Sequence, residues 1–167
     1  MAKQKSYEST HPLNRDSENL MKPGKKITLI PLVQARKGEK FIARISLTCR
    51  SCPNYSFCAQ QLRPGFTYEV KRVRDVKHFC PAAKSYMVIA EVQELPLKIA
   101  VLKKYAVEGA IINFPKLQCK RKCSNKIFCL PEGIKSEEKV KILKILPQSL
   151  RCPLGYDLAF VLVQPLS

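Results

Sequence analysis

Eight cysteines carry most of the chemistry this chain can do, and their spacing is ordered. Cys49-x2-Cys52-x5-Cys58 is followed after 21 residues by Cys80-Pro81, and Cys119-x3-Cys123-x5-Cys129 is followed after 22 residues by Cys152-Pro153. Corresponding cysteines lie 70, 71, 71 and 72 residues apart, and Phe57 before Cys58 matches Phe128 before Cys129. Such agreement reads as an internal duplication. Four thiolates presented by tight turns suit either a tetrahedral Zn2+ or a cubane [4Fe–4S] cluster, because both are thiophilic. Zinc ribbons usually bring two short pairs together, whereas three close cysteines and a remote Cys-Pro are the ferredoxin arrangement. The frequency of structural zinc in small basic proteins points the other way, so both metals stay open. The expected ligand sets are Cys49, Cys52, Cys58 and Cys80, and Cys119, Cys123, Cys129 and Cys152. Exchange of Cys80 and Cys152 between the two sites is the alternative. Buried free thiols or disulfides are the remaining reading, and eight cysteines in register twice argue against it.

The elements that must position these thiols also come in two series. Phe41–Leu47 and Ala110–Phe114 read as strands running into the cysteine turns. Phe66–Val73 and Lys139–Leu146 alternate apolar and polar residues, as half-buried strands do. Tyr86–Ala90 and Leu158–Val163 are apolar runs after each Cys-Pro. The expected fold is mainly β (α+β at most): two pseudo-repeated three-stranded units, each built around a four-cysteine metal site. Its divisions are a mobile basic tail, 1–24; a first repeat, 25–95; a connector, 96–110, with a strand and one or two helical turns ending at Gly109; and a second repeat, 111–167. All would form one compact domain.

The polar, basic start Met1–Ser6 leads into no apolar run, and no stretch approaches the length of a membrane span. The expectation is a cytoplasmic protein without a membrane partner. In that compartment paired cysteines read as metal ligands before disulfides.

Thirty Lys and Arg against 13 Asp and Glu give a net charge of +17. Eight thiolates with two zinc ions, or with two cubes, would leave about +13, so charge does not separate the metals. Residues 115–151 hold ten cations and three acids, among them Lys116, Lys120, Arg121, Lys122 and Lys126 in or beside the second cysteine turn. Arg63, Lys71, Arg72, Arg74 and Lys77 lie close to the first turn and to Cys80, and Lys22, Lys25 and Lys26 add to them. Thermophile surfaces raise Lys and Glu together; acids are scarce here, which favours a polyanionic partner. Tyr55, Phe57, Phe66, Tyr68, Phe79 and Phe128 are candidates to stack on unpaired bases, although Phe57 and Phe128, each preceding a cysteine, read better as core.

Little in the chain suggests catalysis. No phosphate-binding Gly-rich loop is present. His78 near Cys80 reads as a neighbour of the metal or a surface residue, and His11 lies in the tail. Glu137-Glu138 reads as a solvated charged run. All-cysteine sites are closed to substrate, unlike those of zinc hydrolases. The expected function is a non-enzymatic, ribosome-associated RNA-binding metalloprotein without a small-molecule substrate. The alternative is an iron–sulfur electron carrier or redox sensor with two [4Fe–4S] clusters.

The duplicated three-plus-one cysteines, the run Arg74-Asp75-Val76-Lys77-His78-Phe79-Cys80-Pro81 and the segment Ala106-Val107-Glu108-Gly109-Ala110 together resemble an archaeal family catalogued as uncharacterised protein family 0179. The resemblance spans roughly residues 26–164. It implies a cytosolic archaeal protein with two iron–sulfur or other metal centres, and it implies no particular activity. This chain is more basic than the resemblance leads one to expect, and its tail reads as an addition.

Overall fold

The computed structural model describes residues 24–166; the expected tail, 1–24, lies outside the described residues except for Gly24. Eight strands follow one another: β1 (Lys25–Pro31), β2 (Lys40–Ile42), β3 (Thr67–Cys80), β4 (Ser85–Glu94), β5 (Leu97–Leu102), β6 (Ile111–Asn113), β7 (Lys139–Ile145) and β8 (Leu158–Pro165). They form two four-stranded sheets, ordered β1-β4-β3-β2 and β5-β8-β7-β6, in which every pairing is antiparallel. Helical structure is confined to single turns: α1 (Leu47–Arg50), α2 (Tyr55–Cys58), α3 (Lys126–Cys129) and 3-10 turns at Leu32–Gln34 and Lys103–Tyr105. In each sheet the first strand leads through a 3-10 turn to a three-residue edge strand, then through a cysteine-bearing loop to the strand that pairs with the last. Among the described residues no helix is long and apolar enough to cross a membrane.

The strands form where side chains alternate. Tyr68 and Val70 of β3, and Val88, Ala90 and Val92 of β4, turn inward, while their neighbours stay partly exposed. Two expectations need correction. The units are four-stranded, because β1 and β5 supply strands as well as entry and connection. The strand and helical turn expected within 96–110 are present as β5 and the 3-10 turn Lys103–Tyr105, and β5 belongs to the second sheet, with Ile99, Ala100 and Val101 buried and paired with β8. Furthermore, Phe41–Leu47 is strand only at Lys40–Ile42. Past it the backbone bonds to the start of β3, with Ala43 N–H donating to Phe66 O at 2.9 Å, before α1 begins at Leu47.

Both sheets contribute to one apolar core. Ile30, Phe66, Tyr68, Val70, Val88 and Val92 of the first half cluster with Ile99, Phe114, Val140, Ile142, Val161 and Val163 of the second. A smaller cluster of Ala100, Cys129, Leu158 and Phe160 lies under the second cysteine loop, with Leu117, Phe128, Leu130, Leu150 and Cys152 packed against it.

The halves approach closely at Gly133. A Cβ there would stand 2.5 Å from two ring atoms of Phe66 and 2.6 Å from the Pro64 carbonyl oxygen. Phe66 is fully buried and has little room to give. Gly133→Ala is expected to lower stability by about 1–3 kcal/mol, read as a lower urea midpoint; an unchanged midpoint would mean that this contact does not hold the sheets together.

Candidate metal centres and the basic surface around them

The first loop brings its thiols together through a succession of short turns. Cys49 lies in α1, Cys52 in the turn after it, Cys58 at the end of α2 and Cys80 at the end of β3. Hydrogen bonds from Cys49 N–H to Ser46 O, Cys52 N–H to Cys49 O, and Cys58 N–H to Asn54 O wind the chain about the site. All four cysteines line one small cleft, walled by Leu29, Tyr55, Ala59, Phe79 and Pro81.

Several donors reach these sulfurs. The Thr28 hydroxyl, buried under the loop, bonds to the Cys58 carbonyl at 2.8 Å and lies 3.8 Å from Cys58 Sγ. Ser46 Oγ is 3.4 Å from Cys49 Sγ, and Ala83 N–H points at Cys80 Sγ from 3.4 Å. Burial pushes the Cys58 thiol above its ordinary range; the bonds from Leu29 N–H and Thr28 oppose this, while Cys80 and Cys49 add to it.

In the second loop Cys129 ends α3 and is buried, and Cys119, Cys123 and Cys152 are half-buried. Burial, reinforced by the nearby Cys152, Cys119 and Cys123, pushes the Cys129 thiol up to about 11. Each remote Cys-Pro cysteine thus stands with the triplet of its own half. All eight thiols are free of disulfides. Among the described residues, no three His, Cys, Asp or Glu side chains stand close enough together, as placed, to hold a metal ion. His78 rests edge-on against Phe57, with ring centroids 6.1 Å apart.

The cations named from the sequence fall into three groups. Lys116, Lys120, Arg121, Lys122 and Lys126 are all exposed around the second thiol set, and none is ion-paired with a described residue. Arg72 and Lys77 are likewise exposed. Lys71 and Arg74 bond to Glu69 and Glu91, each at 2.7 Å, and those bonds hold both carboxyls below the usual range.

Arg63 corrects an expectation. Instead of facing a partner, it is partly buried, with a side chain 19 % exposed, and it bonds to Glu138 at 2.7 Å and to Gly133 O at 3.1 Å. Its Nε lies 3.8 Å from Glu94, which also pairs with Lys26 at 2.9 Å and accepts the Tyr68 hydroxyl at 2.8 Å. Burial raises the Tyr68 hydroxyl far above its ordinary pKa. Glu138, read as solvated, and Glu94, not singled out at all, are therefore structural members of a charged network between the halves. Its contacts join residues 70 and 75 positions apart, so no local pattern announced them. Phe66 and Tyr68, candidates for base stacking, are fully buried core.

The family profile described as "Uncharacterised protein family (UPF0179)" matches residues 26–163. A UPF0179 protein of Methanocaldococcus jannaschii is 33% identical over 141 residues, which is 83% of this chain and 93% of that protein. One from Methanothermobacter thermautotrophicus is 32% identical over 143 residues, 84% of this chain and 97% of its own length. One from Methanosarcina acetivorans is 36% identical over 138 residues, with 80% and 91% covered. No solved structure is significantly similar.

Ordinary thiols are mostly protonated at neutral pH, and burial raises Cys58 and Cys129 further, so a thiophilic metal taken up by these sets displaces protons. Titration of Zn2+ or Fe2+ into the metal-free chain in weak buffer at pH 7 is expected to acidify the solution, and uptake is expected to weaken as pH falls. Uptake without proton release would contradict ligation by these thiols.

Proposed function

The chain belongs to the uncharacterised protein family UPF0179, and from that premise we propose that it is a non-enzymatic, cytoplasmic RNA-binding protein whose two cysteine sets hold metal groups that stiffen the binding loops. The observation that carries the reading is the set of five exposed cations, Lys116, Lys120, Arg121, Lys122 and Lys126, spread over one thiol-rich loop without acids to neutralise them. Mobile lysines bind phosphates at an entropic cost; lysines on a loop cross-linked through four sulfurs have less freedom to lose. Ribosomal RNA is the abundant polyanion of that compartment and the partner we assign. The equivalent strand order of the two sheets and the matching spacing of their cysteines support reading the halves as copies of one unit.

Four thiols with no competing side-chain ligand suit a thiophilic group, and Cys49, Cys52, Cys58 and Cys80 line one apolar-walled cleft, where binding would draw the sulfurs closer than they stand. The three-plus-one spacing suits a [4Fe–4S] cube, and four thiolates suit zinc equally well. Such a cube, when bound, supplies cross-linking of the loop and a one-electron couple; the chain's own share is to orient four sulfurs and to limit their contact with water. The Thr28 hydroxyl and Ala83 N–H donate to sulfurs of the first set, and Ser46 Oγ lies within hydrogen-bond reach of Cys49 Sγ; these contacts favour a second reading, an electron carrier or redox sensor, because hydrogen bonds to sulfur tune cluster potentials.

Binding of the metal-loaded chain to an RNA oligonucleotide, followed by fluorescence anisotropy over a range of salt, separates the readings. With roughly six phosphate contacts to single-stranded RNA, log K is expected to fall against log salt with a slope of about −4. Replacing Lys120, Arg121 and Lys122 with Gln is expected to flatten that slope by about 2. An affinity indifferent to salt would contradict the proposal, and reversible bleaching of visible absorbance in a chain that ignores RNA would support electron transfer instead.

A further inference from the structure

The β3–β4 hairpin runs beyond the core it helps to build. Val88 is the last residue of β4 on that side to be buried, and the pairs His78↔Met87, Phe79↔Tyr86 and Cys80↔Ser85 extend the ladder past it. On this extension Phe79 and Tyr86 stand directly opposite one another, edge to face, with centroids 5.7 Å apart. They are 53% and 60% exposed. Position Cys80 explains why the strand is long, since its thiol must reach the cleft. Phe79 also walls the cysteine cleft, but that accounts neither for the exposure of its ring nor for Tyr86 opposite it, which stays outside the cleft and leaves apolar surface in water.

The charges nearby narrow what the rings meet. From residue 72 to 84 the chain carries Arg72, Arg74, Lys77 and Lys84 against the single acid Asp75. Lys77 and Lys84 are exposed and not ion-paired with a described residue, whereas Arg74 is held by Glu91. Exposed rings beside unpaired cations combine a surface for flat apolar groups with a surface for phosphates. Unpaired nucleotides present both at once, while in a duplex the base faces are already stacked on one another.

We propose that Phe79 and Tyr86 form a stacking platform for unpaired bases of RNA, with Lys77 and Lys84 holding the adjoining phosphates. The inference rests on the RNA-binding reading above and deepens it: the ligand is a single-stranded segment. The two loops then divide the work, the second supplying charge without base contacts and the first hairpin supplying preference for unpaired nucleotides.

The test compares the full metal-loaded chain with Tyr86→Ala, Phe79→Ala and Tyr86→Phe on single-stranded and fully duplex RNA of equal length. Loss of one stacking ring is expected to weaken single-strand binding about tenfold, with little change on the duplex and no change in salt slope, since no phosphate contact is removed. Tyr86→Phe keeps the ring and is expected to bind like the parent; because Tyr86 does not line the cysteine cleft, its variants also guard against a disturbed thiol site at Phe79. Unchanged single-strand affinity in both alanine variants, or equal loss on both RNAs, would overturn the platform. A parent chain that binds neither RNA would instead overturn the RNA-binding reading, and the platform with it.

Discussion

The packing of one sheet against the other is the constraint on which the rest of this structure depends. Each cysteine loop consists of turns and helices of four residues, far below the length at which a helix is stable by itself. Such loops persist only where something larger fixes their ends. Tyr68 and Val70 from β3, packed in one cluster with Val140, Ile142 and Val163 from the other sheet, fix β3 and hence Cys80 at its far end. On the second side, Phe128 meets Phe160 at a centroid distance of 5.2 Å, tying α3 and Cys129 to β8. The shared core does for the loops what they are too short to do for themselves.

Polar groups lie where that core permits them. The Lys26–Glu94–Tyr68–Arg63–Glu138 network sits between the halves, with both carboxylates about nine-tenths buried. Buried carboxylates need partners, and Arg63 answers to Glu138 and lies against Glu94 together. This explains why one strong cation of the chain is withdrawn from the surface while those of the second cysteine loop remain on it. Thiols occupy an intermediate place: burial raises Cys58 and Cys129, while most of the others stay half-buried at the edge of the core. A thiophilic group bound in either cysteine loop would cross-link its turns and offset half of the charge on the four thiolates it holds.

What the sequence disclosed was local or periodic. The alternation in 66–73 and 139–146 lies within or largely overlaps β3 and β7, because a half-buried strand writes its two faces into successive residues. Family membership was legible for the same reason, since cysteine spacing is a linear pattern. Arg63 was misread because charge alone does not distinguish a surface cation from one whose carboxylate partner lies in the other half of the chain. Phe66 and Tyr68 were candidates for stacking only until the opposing sheet was seen to cover them. The strand in 97–102 was legible as a short apolar run, but its place in the second sheet was not, because one such run gives no hint of the strand, β8, that it joins some 60 residues later. Tyr86, one residue of a strand run, gained meaning only from the register that sets it opposite Phe79.

The most direct measurement is the iron, acid-labile sulfide and zinc content of the full chain purified without oxygen. Two [4Fe–4S] groups predict about eight iron and eight sulfide per folded chain, accompanied by a brown colour. About two zinc ions per chain would meet the same account with the other thiophilic metal, whereas a folded chain that carries neither iron–sulfide nor zinc would contradict metal groups in the two cysteine sets.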